Sequence, residues 1–148
     1  MATLERALFL AVTAHLGQED KVGAPYILHP LRLMLRADGE EARIIALLHD
    51  TVEDTAITLE QLREEGFSET VLTVLDRLTH RPEHSYQEYI ERVLTHPLAV
   101  RIKLLDLADN MDVRRLRPQL SDKDRRRLEK YTHYQAVLQA TLPVDSAP

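Results

Sequence analysis

The chain has 148 residues, 44% of them apolar and 29% charged, with a formal net charge of −5 and no cysteine. This balance fits a single soluble globular domain with room for a core, and it excludes a disulfide framework, a thiolate metal site and a cysteine nucleophile. The acidic net charge argues against nucleic acid as a partner, and no apolar run approaches the ~20 residues that span a bilayer.

The N-terminus, "MATLERALFLAVTAH", carries Glu5 and Arg6 and lacks a signal-peptide layout, so a cytoplasmic address is expected. Thr3 predicts the N-cap of a first helix to about His15, with Leu4, Ala7, Leu8, Ala11 and Val12 as its apolar stripe. Gly17 ends it. After a loop through Gly23-Ala24-Pro25, a second helix starts near His29-Pro30 and stops near Asp38-Gly39. A third begins at about Glu40 and runs through "LLHDTVEDT" to Asp54. Thr58 with Gln61 reads as a capping box for a short helix ended by Gly66. Ser68 opens the next helix, Ser85 with Glu88 caps another to Leu94, and Pro97 starts a long one through Met111. Ser121 with Asp124 starts the last, to about Leu142, and a loose tail occupies 143–148. No repeat, linker or strand pattern interrupts the series. The prediction is a single all-α domain over residues 1–142.

Two stretches place charge where the pattern calls for core. On a continuous helix, His49, Glu53, Asp50 and Asp54 fall near about 0°, 40°, 100° and 140°, one shared face. Ile44, Ile45, Leu47 and Leu48 leave no wide polar face nearby. Buried unpaired charge is costly, and a divalent cation would compensate it. A solvated helix end is the alternative, because Thr51, Thr55 and Thr58 point to an early stop. In "KLLDLADN", Asp106 sits among Ile102, Leu104, Leu105 and Leu107, where an aspartate has poor helix propensity and expensive burial. Asn110 follows one turn later on the same face. The alternative there is a solvent-facing aspartate. Without thiolates, any ion must be held by histidines and carboxylates, ligands suited to manganese, iron, magnesium or zinc.

The order of a lone His15, then His49-Asp50, then a distant Asp106 resembles the ligand order of HD-domain metal phosphohydrolases. "HLGQEDKVGAPYILHPL", "IIALLHDTVEDTAITLEQLREEGFS", "VLTVLDRLTH" and "RIKLLDLADNM" resemble, in sequence, the consecutive motifs of the RelA/SpoT hydrolase domain. They span roughly residues 10 to 116. Small stand-alone alarmone hydrolases of about this length share them. The resemblance implies an all-helical fold and one divalent ion, typically manganese, ligated by His15, His49, Asp50 and Asp106. It implies Glu53 and Asp54 as the pair that activates and orients the attacking water. It implies Lys21 and Asn110 as substrate contacts, and removal of pyrophosphate from the 3′ position of guanosine tetra- or pentaphosphate. His29 reads as a structural hydrogen-bonding residue, and His80, His84, His96 and His133 are assigned no role.

Several pocket positions depart from that family. Asp20, Leu107, Asp109 and Asp112 stand where its members usually carry Arg, Arg or Lys, His or Tyr, and Arg. Negative charge is therefore expected beside an anionic substrate, partly offset by Arg114, Arg115 and Arg117. Two alternatives stay open: a phosphohydrolase for a less anionic nucleotide or phosphoester, and a nucleotide sensor without turnover. Self-association into a homo-oligomer also stays open.

Overall fold

The structure is a computed structural model and describes residues 2–112, 114 and 120–142. The tail expected at 143–148, and Arg115 and Arg117, lie outside the described residues. Helices follow in the order α1 Leu4–Ala14, α2 Leu28–Arg36, α3 Glu40–Leu48, α4 Thr51–Asp54, α5 Leu59–Glu64, α6 Glu69–Leu78, α7 Tyr86–Val93, α8 Pro97–Asn110 and α9 Asp122–Gln139. Among the described residues there is no strand; one isolated antiparallel bridge, Glu19 to Pro25, ties the loop between α1 and α2. The all-α expectation holds. Among the described residues no helix is long and apolar enough to cross a membrane.

Side-chain caps fix most of the starts. Thr3 accepts from the Arg6 amide, and both halves of the capping box are made at Thr58/Gln61, Ser85/Glu88 and Ser121/Asp124. The His96 ring, given no role above, caps α8 by accepting from the Leu98 amide at 3.2 Å, ahead of Pro97 in the first turn. Gly39, at φ +92°, supplies the left-handed residue that turns the chain into α3.

The centre of the fold is α3. Ala42 and the run from Ile44 to Leu48 are all buried, so from Ile44 onward this helix is apolar on every side. It packs against α1, α2, α6 and α8, while α8 in turn meets α2, α6, α7 and α9. The polar residues that matter lie where α2, the end of α3 and α8 converge.

The pattern predicted one helix through Asp54, and here the structure differs. Thr51 Oγ1 donates to the Leu48 carbonyl at 2.8 Å, occupying an acceptor that a continuing helix would use. Asp50 sits at φ −103°, ψ −3°, and its own carbonyl starts a new ladder by accepting from the Asp54 amide at 2.9 Å. His49 and Asp50 are therefore a corner between two helices, and the angular spacing of a continuous helix does not describe them.

Candidate metal centre

His49 closes α3 and Asp50 opens α4, while α8 presents Lys103, Asp106, Asp109 and Asn110 at three- and four-residue spacing. Packing of α2 on α8 pushes the His29 ring between two of these groups. His29 Nε2 lies 2.9 Å from Asp106 Oδ1, and Nδ1 lies 2.6 Å from Asp109 Oδ2. His49 Nε2 lies 3.0 Å from Asp50 Oδ2 and 3.5 Å from Asp106 Oδ1. Asp106 is further held by the Lys103 ammonium at 2.7 Å and by Asn110 Nδ2 at 3.0 Å.

Of the four ligands expected from the sequence, the structure gathers His49, Asp50 and Asp106. The other histidine at this cluster is His29. Ligand atoms of His29, His49 and Asp50 lie within 4.8 Å of one another, as do those of Asp50, Glu53 and Asp54. His15 is buried, yet its Nδ1 is turned to Gln18 Oε1 at 2.8 Å and its ring packs on Tyr26. Tyr26 is the link, because its hydroxyl donates to Asp50 Oδ2 and its ring also faces His29. His15 thus stands behind Tyr26 with its own Nε2 also buried and without a hydrogen bond, and His29 is the histidine that reaches Asp106, at 2.9 Å, and Asp50, at 3.8 Å.

The donor set fits a divalent cation. His49 Nδ1 donates to the Ala46 carbonyl at 2.7 Å, which leaves Nε2, buried and without a hydrogen bond beside two carboxylates, as the nitrogen a cation would take in place of a proton. Imidazole nitrogen with carboxylate oxygen suits manganese, iron or zinc. The electrostatics record the crowding. Burial lowers the His49 pKa, but Asp50 and Asp106 more than offset it and hold the imidazole well above its ordinary value. Burial likewise opposes, and Asp106 and Asp109 reverse, the shift of His29, which is raised. Asp106 is held well below the carboxylate range, chiefly by Lys103 against the effect of burial. Glu53 and Asp54 are pushed up, by burial first and then, among the charges, by Asp50.

Two cavities meet over this cluster. One, of about 200 Å³, is lined by Asp50, Glu53, Asp54, His80, Tyr86 and Lys103; the other, of about 240 Å³, by Glu19, Asp20, Lys21, Arg32, Asn110 and Asp112. Tyr26, His29 and Asn110 line both. Glu53 Oε1 accepts from the His80 backbone amide at 2.6 Å, so its carboxylate is fixed in direction.

Two departures from the family read differently in three dimensions. Asp109 was expected to bring negative charge to the substrate region; it is fully buried and paired with His29 and with Arg32, whose Nε is 2.7 Å from Oδ1. Leu107 is fully buried in the core. Asp20 does line the second cavity, while its Oδ1 accepts from the Val22 and Ala24 amides at 2.9 Å and shapes the loop. Asp112 forms an ion pair with Arg114 at 2.7 Å. Lys103 and Tyr26 were not singled out from the sequence. The signal for Lys103 was there, a lysine three residues before a buried aspartate on one helix.

No family model matches the chain. A guanosine-3′,5′-bis(diphosphate) 3′-pyrophosphohydrolase of Aquifex aeolicus is 34% identical over 120 residues, which is 73% of this chain and 17% of that protein. The protein of the same name from Haemophilus influenzae is 35% identical over 136 residues, 83% of this chain and 20% of that one. The chain therefore spans about a fifth of the length of the curated relatives it matches. A solved structure of a metazoan ortholog of SpoT that hydrolyzes ppGpp superposes with a TM-score of 0.76 over 95% of this chain and 88% of that one, at 22% identity, a likeness of fold. By sequence, and with the same helical fold, the chain belongs to the RelA/SpoT family.

Proposed function

We propose that the chain is a metal-dependent phosphohydrolase that removes pyrophosphate from the 3′ position of guanosine tetra- or pentaphosphate. The ion, manganese by the family resemblance, is assigned to His29, His49, Asp50 and Asp106. The observation that carries this reading is the buried, unsatisfied Nε2 of His49 facing carboxylates from two different helices. A divalent ion there supplies a water of lowered pKa and offsets charge on the phosphoryl oxygens.

The chain's own groups do the rest. Glu53 is the general base: its raised pKa makes it a stronger proton acceptor, and the His80 amide aims it. Asp54, next to it and also raised, orients the same water. Tyr26, Lys103 and Asn110 hold Asp50 and Asp106 in place through the bonds described above. Lys21 and Asn110 line the adjoining cavity, where the nucleotide would lie. This substrate class assigns the protein a cytoplasmic place of work.

A second reading, a substrate with fewer phosphates, is favoured by Glu19, Asp20 and Asp112 facing Lys21 and Arg32 in that cavity. One assay separates the two. Purified protein with manganese is given guanosine tetraphosphate, guanosine pentaphosphate and less phosphorylated nucleotides, and phosphate and pyrophosphate are measured separately. Pyrophosphate from the tetraphosphate is expected; release from a less phosphorylated nucleotide alone would favour the second reading. No release from any member of the panel would remove both.

A further inference from the structure

We infer that the buried Arg32–Asp109 pair is a clamp that turns His29 toward the metal position and so sets how tightly this chain holds its ion. The inference rests on the metal-centre reading above. Asp109 is fully buried, in an ion pair that links α8 to α2. Arg32 grips it with a fork, Nε to Oδ1 at 2.7 Å and Nη2 to Oδ2 at 3.0 Å, and the Arg36 guanidinium comes to 4.0 Å. Oδ2 is also the atom that faces His29 Nδ1, at 2.6 Å.

Both ring nitrogens of His29 face a carboxylate, which has only acceptors; an ion bound beside Asp106 and Asp50 takes the place of the Nε2 proton, while Asp109 keeps the proton on Nδ1. The ring is then pinned by two points, its backbone and this bond, with Nε2 directed at the space between Asp106 Oδ1, at 2.9 Å, and Asp50 Oδ2, at 3.8 Å. His49 obtains the same service from the neutral carbonyl of Ala46. Only the charged partner needs a counter-ion when buried, which accounts for Arg32 lying against it. Partners of this kind orient a ligating imidazole and raise its basicity, and their loss costs roughly 10- to 100-fold in metal affinity. A pair that served packing alone would leave metal binding unchanged.

The test measures manganese binding to metal-free protein by titration calorimetry. Asp109→Asn, which removes the charge at nearly constant volume, is expected to weaken binding by roughly 10- to 100-fold. Arg32→Lys keeps a cation and loses the fork, and is expected to show a smaller loss in the same direction. Unchanged affinity in folded Asp109→Asn overturns the inference. If that variant does not fold, nitrogen-15 NMR of the wild-type protein loaded with diamagnetic zinc decides: Nδ1 protonated and Nε2 bound on His29 supports the clamp, and the opposite tautomer or an unbound His29 overturns it. A wild-type protein that binds no manganese takes down the metal-centre reading itself, and the clamp with it, a result distinct from equal binding by wild type and variant.

Discussion

Replacing Lys103 by Met tests how the site survives without its ion. The ammonium lies 2.7 Å from Asp106 Oδ2, both side chains are about nine-tenths buried, and the cation also sits 5.0 Å from the Tyr89 ring centroid. At an effective dielectric of ~20 that separation gives a gross attraction of about 6 kcal/mol. Desolvation offsets much of this, and removing one member of a buried pair costs a net ~3–5 kcal/mol because the other charge is stranded. Asp106 keeps His29 and Asn110 as partners, which places the expected loss near the lower end, about 3 kcal/mol. For a chain of this size each kcal/mol moves Tm by roughly 2–4 °C, so Lys103→Met should melt about 6–12 °C lower in chelator. A divalent cation beside Asp106 replaces the missing positive charge and is no longer repelled by Lys103. Manganese should therefore bind the variant more tightly, and the gap in Tm should narrow in its presence. The assay is differential scanning calorimetry of both proteins in chelator and in excess manganese. A variant with the wild-type Tm in chelator, or one whose deficit widens with manganese, would refute the view that Lys103 is the standing counter-ion of Asp106.

Glu53→Gln should cut turnover by at least ~10²-fold while manganese affinity is largely kept, since the amide oxygen can still accept from the His80 amide; steady-state rates beside calorimetry check this. The metal-free protein should lose stability steadily as pH rises from 6 to 9, followed by Tm. His29 and His49 have raised folded values, so the stabilisation each gives is full below its unfolded pKa and is lost as pH climbs through its folded one; Glu53 and Asp54 are raised too and act with the same sign, starting from the carboxylate range. Asp50 and Asp106 are lowered and give way only in strong acid, outside that window; a Tm that climbs toward pH 9 would contradict this assignment. Asp20→Asn keeps an acceptor for the Val22 and Ala24 amides while removing the charge, so tetraphosphate binding should tighten and added salt should shrink the gain. Asp20→Arg loses both bonds and disturbs the loop, which makes it the poorer probe.

Helix starts were legible because they are local chemistry. Thr58 with Gln61, Ser85 with Glu88, and Ser121 with Asp124 declare themselves within four residues, and the structure makes each box. The corner at His49–Asp50 was not, since no Gly or Pro marks it and the apolar period runs on; a threonine hydroxyl competing for one carbonyl ends α3. The acidic side of the centre could be read from expensive placements, Asp50 and Asp106 in apolar surroundings. Which histidine lies beside them could not. His15 and His29 are both buried, and the choice depends on α2 lying against α8. Asp109 misled for the same reason: its partners, His29 and Arg32, are 80 and 77 residues away.

That distance has a bearing on how the chain is made. His29, His49 and Asp50 are all synthesised well before Asp106, which is separated from His29 by 77 residues. At translation rates of roughly 5–20 residues per second, about 4–15 s pass between the first histidine and the last carboxylate leaving the peptidyl-transferase centre. During that interval the early groups have neither Asp106 nor the Lys103 that accompanies it. On the metal-centre reading, the nascent chain therefore carries an unfinished ligand set at α2 and the α3–α4 corner, while the core surface of α3 that α8 will cover is still open to water. On that reading, α8 covers its share of α3 and brings in Asp106 together, so ion capture would wait for α8, and α9 then adds Leu138 to the core.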